Sequence, residues 1–343
     1  MSDFLGSEAD PVDEFREIIL YGDNSATYKF ALAHCLLEFA NKGQEIVPLE
    51  ELAIPFSRHI CTHLQTVDRQ GTSATSKFLD ACRFYNAGRI TIEELHTTTE
   101  IKGFGNVIGA FHNVKDSSGS MDFFFDERGN STKGIRITDS MFKLAETFQA
   151  DNLSREVEAR WKLVEEKWSQ SSKGKQVTVL YEPNKELLIP ALQGKRKTIT
   201  DVRPALNGYQ KGHCFYCFAE ISAAGKDNEK GSHVDHFLPH TLMSKGMPVN
   251  LDGVWNLVLA CENCNLSKSY KLPHKDLLTR LNTRNEFLIR SNHPLRETLK
   301  RATGNLPTER SQFLTNWYMV ASDLLQQNPS RGWKSSHRKR PLF

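Results

Sequence analysis

Two CxxC pairs, Cys214/Cys217 and Cys261/Cys264, enclose an Asp235-His236 dipeptide, and the second pair runs straight into Asn265 and, three residues on, Lys268. Zinc favours tetrahedral thiolate coordination, and each CxxC turn offers two sulfurs from one side. Two such turns therefore make a closed site with no open position, which is structural rather than catalytic. Gly212 precedes the first turn, where the chain must fold back. The seven cysteines are odd in number and no apolar leader follows Met1, a combination that points to a reducing, cytoplasmic setting. There paired cysteines are more often metal ligands than disulfides, with four free thiols as the alternative reading. Cys35, Cys61 and Cys82 lie in apolar helical patterns and are expected in a core.

Between the cysteine pairs, Ser232–His240 partly alternates polar and apolar side chains and stops at Pro239, as a short strand does. Asp235 and His236 are neighbours, so on a strand they face opposite ways. One can hold a cation while the other is kept on the substrate side. The segment 255–260 runs into the second pair, which should open a helix carrying Asn265 and Lys268 on one face.

This set resembles the HNH endonuclease family, with its ββα-metal active site. The matching pieces are Val-Asp-His at 234–236, Asn-Leu-Val-Leu at 256–259 and Cys-Glu-Asn-Cys-Asn-Leu-Ser-Lys at 261–268, with Asn265 in place of the last histidine. The likeness covers roughly residues 196–305. It implies that Asp235 and Asn265 hold one divalent cation, magnesium or manganese, since hard oxygen ligands suit such ions. It implies that His236, neutral at physiological pH, takes a proton from the attacking water. Asn256 would brace the loop that orients His236. Lys268 would assist the transition state electrostatically or sit idle on the surface. The implied reaction is phosphodiester hydrolysis by a metal-dependent endonuclease, with DNA as partner and RNA as a variant substrate. Helical leaders ahead of free-standing HNH domains imply a nuclease effector of anti-phage (antiviral) defence or restriction, working with a sensor or activator encoded nearby. The competing reading is a zinc-stapled nucleic-acid-binding module without catalysis. His233 and His240 flank the site without matching a required position, and His213 and His274 read as solvated.

Basic residues surround this segment: Lys195, Arg196, Lys197, Arg203 and Lys211 before it, and Lys268, Lys271, Lys275, Arg280, Arg284 and Arg290 after it. The tail 331–340 adds five Lys/Arg and no carboxylate, with Trp333 as a candidate for stacking on a base. Net charge is only +3, so the expected field is local. Phosphate contacts from such runs bind without sequence preference.

The elements that would carry this chemistry read as α+β, in two domains. Residues 1–190 are predicted as a mainly α-helical recognition or regulatory domain, 195–305 as the C-terminal HNH ββα-metal domain with its structural zinc site, and 306–343 as a C-terminal helix and basic tail. The first dozen residues look loose. Helices are predicted from Asn24 to Gly43 (striped by Tyr28, Leu32, Cys35, Leu36 and Phe39) and over 55–66, 76–87, 91–100 and 139–149. A further helix at 154–169 carries Val157, Trp161, Val164 and Trp168 on one face. A β-hairpin spans 121–137, with Gly129 in its turn. A linker is expected near 170–175, a strand at 177–181, and helices at 274–290 and 308–327, the last burying Phe313, Trp317, Ala321 and Leu324. No repeat, phosphate-cradling glycine loop, lipidation signal or membrane span is visible.

Overall fold

A computed structural model describes residues 4–5, 10–73, 75–115, 121–171, 178–191, 198–225, 230–291 and 294–336. The architecture is mixed α and β, in two compact units that divide at Gly174/Lys175. The boundary expected at 190 therefore falls earlier, and residues from 306 onward belong to the second unit rather than to a separate segment. Of the linker expected near 170–175, Gln170 and Ser171 belong to a long helix, Ala150–Ser171, while 172–175, Lys195, Arg196, Lys197 and the tail from 337 lie outside the described residues. No described helix is long and apolar enough to cross a membrane.

The first helix of the first unit, α1 (Pro11–Tyr21), was not predicted, and its first two residues fall within the dozen expected to be loose. Pro11 supplies a helical φ at the position whose N–H would go unpaired anyway, and the Asp10 carboxylate accepts from the Asp13 N–H at 2.8 Å. Charge hid the helix, because three of its charged residues, Glu14, Arg16 and Glu17, are buried; Arg16 meets both oxygens of the buried Glu156, at 2.9 and 3.0 Å. Helix α2 (Tyr28–Asn41) is apolar nearly all round and forms the centre. It is followed by β1 (Ile46–Pro48), α3 (Leu49–Leu64), α4 (Lys77–Asn86), α5 (Ile92–Lys102) and α6 (Val107–Ala110). α3 starts two turns before the expected Pro55. Burial of Leu52, Ala53, Phe56 and Ile60 offsets the hydrogen bond that Pro55 removes from the helix.

The predicted hairpin is β2 (Phe124–Glu127) and β3 (Gly134–Ile137), antiparallel, with β1 added on the far side of β3. Gly134 is required there because a Cβ would run into the Val47 carbonyl. α7 (Asp139–Ala145) and α8 (Ala150–Ser171) complete the unit. The predicted face of α8 is the buried one, from Val157 and Trp161 to Val164 and Trp168, and Cys35, Cys61 and Cys82 are buried as expected.

The second unit opens with an antiparallel sheet of β4 (Val179–Glu182), β5 (Leu187–Pro190) and β6 (Thr200–Asp201). Helix α9 (Val202–Asn207) leads to the first cysteine turn. A two-stranded antiparallel hairpin follows, β7 (Ser232–His236) and β8 (Leu257–Cys261), and runs directly into α10 (Glu262–Lys268). α11 (Asp276–Arg290), α12 (Pro294–Thr303) and α13 (Pro307–Leu325) pack together behind it. α13 buries Leu314, Tyr318 and Ala321, leaving Phe313, Trp317 and Leu324 half-buried, so its inward face is rotated slightly from the expected one. The Val179 N–H donates to Thr298 Oγ1 at 2.9 Å, tying β4 to α12.

Candidate active site

The four cysteines meet. Cys214–Cys217 forms a tight turn in which the Phe218 N–H donates to the Cys214 carbonyl, with positive φ at Lys211, Gly212 and Phe218. Cys261 closes β8 and caps α10, whose first turn carries Cys264. Their Sγ atoms all lie within 4.8 Å of one another, and Cys217 and Cys261 are 3.7 Å apart. Tetrahedral zinc, with Zn–S near 2.3 Å, requires sulfurs about 3.8 Å apart, so the donor set fits a metal ion of that kind.

Asp235 and His236 face opposite sides of β7, as alternation requires, paired with Val258 and Leu257 of β8. Asp235 turns inward. Its carboxylate accepts from the Tyr216 hydroxyl at 2.6 Å, and Lys268 Nζ lies 3.1 Å from both oxygens. Lys268 is fully buried and donates as well to the His236 carbonyl at 2.8 Å. Burial pulls the Lys268 ammonium down from its usual range, and the Asp235 charge opposes that pull. Burial likewise pushes the Tyr216 hydroxyl well up, with Asp235 adding to the shift. The first cysteine turn is thus wired through Tyr216, Asp235 and Lys268 to the backbone of the catalytic candidate. Arg280 clamps the same turn from α11, donating to the Phe215 carbonyl at 2.6 Å and covering the Phe218 ring at 4.1 Å.

His236 lies on the other side, its side chain 17% exposed. Nε2 stands 2.9 Å from Asp252 Oδ1, and the edge of Tyr181 from β4 approaches the ring at 6.2 Å. The His240 ring lies 5.1 Å away, with its Nε2 3.6 Å from the same Asp252 oxygen. Desolvation lowers the His236 pKa and the Asp252 carboxylate raises it, burial being the stronger. With Nε2–H turned to Asp252, Nδ1 carries the lone pair.

Asn256 is fully buried and braces this arrangement more widely than expected. Its Oδ1 accepts from the Leu238 N–H at 2.8 Å, while Nδ2 donates to the Leu238 carbonyl at 3.1 Å and the Leu251 carbonyl at 2.9 Å. One amide therefore fixes both the segment after His236 and the loop that delivers Asp252. Sequence reading missed Asp252. Its only signal was a carboxylate in an Asn-Leu-Asp-Gly turn between the two strands.

Several expected roles change. Lys268 neither reaches toward substrate nor sits idle on the surface, because its ammonium is enclosed between Asp235 and the His236 carbonyl. Asn265 lies half-buried one turn earlier, and among the described residues no hydrogen bond links it to Asp235. The pair expected to hold magnesium or manganese therefore does not fit a hard cation as arranged: both Asp235 oxygens are engaged, one partner being an ammonium. The more open carboxylate beside the imidazole is Asp252.

His274, expected in solvent, is largely covered, and His213 is half-buried. Trp333 does not project from a loose tail. It exchanges backbone hydrogen bonds of 2.8 Å with Leu272 and His274 and packs edge-on against Tyr216 at 5.0 Å. Of the basic residues described, Lys211, Lys268 and Arg284 are buried, Arg203 pairs with Glu186, and Arg280 is the clamp above. Lys271, Lys275 and Arg290 remain exposed. No protein-family model matches the chain, and comparisons with curated proteins and with solved structures likewise find no match.

Proposed function

We propose that the second unit is an HNH-like endonuclease that hydrolyses phosphodiester bonds in DNA, with zinc in its four-thiolate cluster as a structural ion. One observation carries this reading: an imidazole at the end of β7, oriented by Asp252 at 2.9 Å, in a strand–strand–helix frame that the cysteines pin together. His236 Nδ1 takes a proton from water as the water oxygen attacks phosphorus, and the bond to the leaving oxygen breaks as that oxygen takes a proton from solvent. Asp252 holds the ring and stabilises the imidazolium that forms, the division of labour seen wherever a carboxylate orients a catalytic histidine. Asn256 keeps the two partners in register. Magnesium or manganese remains the expected catalytic cation from the family likeness, but no step is assigned to it, since Asp235 and Asn265 are not arranged to bind one.

The test is nicking of supercoiled plasmid by the full chain, with magnesium or manganese present and with chelator. Wild type is expected to convert plasmid to the nicked form. His236→Ala should lower the rate by at least about 100-fold, the usual contribution of a general base, while its circular dichroism stays unchanged. Equal cutting by His236→Ala would overturn the assigned base. Binding without cutting by wild type would favour the zinc-stapled binding module, and cutting confined to RNA would change the substrate.

A further inference from the structure

One oxygen of Asp252 faces two imidazoles. Oδ1 lies 2.9 Å from His236 Nε2 and 3.6 Å from His240 Nε2, an ion-pair distance once the second ring carries a proton. The rings stand 5.1 Å apart, centre to centre. They differ in access: the His236 side chain is largely covered, whereas that of His240 is 54% exposed.

The three groups are held by the same backbone clamp. Asn256 fixes Leu238, two residues before His240, through both its N–H and its carbonyl. The Leu242 N–H donates to the Pro239 carbonyl at 3.0 Å, closing the 3₁₀ turn that His240 opens. Asp252 is set from its own side, with its N–H on Asn250 Oδ1 at 3.0 Å and the preceding Leu251 carbonyl taken up by Asn256. One carboxylate between two imidazoles supports one positive charge well and two poorly. Burial lowers the His236 pKa and Asp252 raises it, and a charge on His240 lowers it again. A protonated His240 therefore helps to keep His236 a base.

We propose that His240 is the catalytic acid paired with the His236 base, supplying in place of solvent the proton that the leaving oxygen requires. This role rests on the nuclease reading of the second unit. With Nε2–H of each ring turned to Asp252, Nδ1 is the nitrogen left for substrate on both. His236 Nδ1 takes a proton from the attacking water. As the bond from phosphorus to the leaving oxygen breaks, its electron pair stays on that oxygen, which takes the proton from His240 Nδ1 and departs as an alcohol. Positive charge passes from His240 to His236 across the Asp252 carboxylate, so the total charge of the three groups is the same before and after. Exchange with solvent then removes the proton from His236 and returns one to His240.

The test is cutting of a DNA duplex by the full chain with magnesium or manganese, at one mapped phosphodiester carrying either oxygen or sulfur in the leaving position. A thiolate departs without a proton, the reference thiol pKa being about 8.5 against about 15.7 for water. His240→Ala and His240→Gln should slow cutting of the oxygen substrate about tenfold or more, yet cut the sulfur substrate within about twofold of wild type. His236→Ala should be slow on both. An equal loss on the two substrates would make His240 a structural or binding group and overturn its role as acid. Undiminished cutting of the oxygen substrate by both His240 variants would overturn it as well. An inactive wild type would sink the nuclease reading itself, and this role with it, whereas the preceding outcomes leave that reading standing.

Discussion

At His236 two influences oppose each other: burial disfavours the charged ring, and the Asp252 carboxylate at 2.9 Å favours it. Burial prevails, so the imidazole, the proposed base, stays neutral to a lower pH than an exposed histidine, whose pKa is about 6.5. The acid limb of the pH–rate profile should therefore fall below that value, with activity lost as pH drops through it. Asp252→Asn removes the influence that raises the pKa, so the limb should move further down while the rate at neutral pH drops about 10- to 100-fold from a misaligned ring. An unshifted limb with an unchanged rate would remove Asp252 from the site. At this scale the sequence was informative where spacing encodes geometry. Asp235 and His236 had to diverge on a strand, and Asn256 sits where it braces. It was silent on Asp252, which reaches the ring through a loop of no fixed period. It misjudged Lys268, because three-residue spacing shows which helix face two side chains share but not whether that face is sealed.

Among the elements, Cys261 has three duties: it ends β8, caps α10 and joins the sulfur cluster. Metal and folding are coupled in such modules. Cys214→Ser should therefore unfold the second unit, lowering its Tm by many degrees, and zinc addition should not restore it. In the first unit, burial lowers the His63 pKa, but contacts with Glu165 at 2.8 Å and Glu158 at 3.1 Å raise it more, to about 9. A raised pKa stabilises the fold fully below the unfolded value near 6.5, and that stability fades as pH climbs through 9. The first unit's Tm should decline between those values, and His63→Gln should flatten the decline. The amphipathic helices were legible where period and cap agree, as in α4 with Ser76 at its start. α1 was not, since Arg16 is buried by pairing with Glu156, 140 residues away, which sequence cannot show.

At the level of the whole chain, the division at Gly174 gives β4 and β5 to the catalytic candidate's unit. Tyr181 on β4 faces His236, and Trp255 packs edge-on against Phe313 of α13 at 5.1 Å. A fragment covering 175–343 should therefore unfold cooperatively on its own, whereas one limited to 195–305 should not, as urea titration of the two would show. The motif marked the centre of this unit but not its extent, because the flanking strands and helices carry no motif. Basic composition was also a poor guide to an outer face, since Arg280 and Arg284 serve the interior by donating to backbone carbonyls.

The Asn256 amide could not be exchanged for its acid without cost. Deamidation would leave the chain length and all cysteines intact, yet replace an NH₂ that donates to Leu238 and Leu251 with an oxygen repelled by both carbonyls. The same exchange made as Asn256→Asp would loosen the histidine and its aspartate together, so turnover should fall more than the loss of melting temperature alone accounts for.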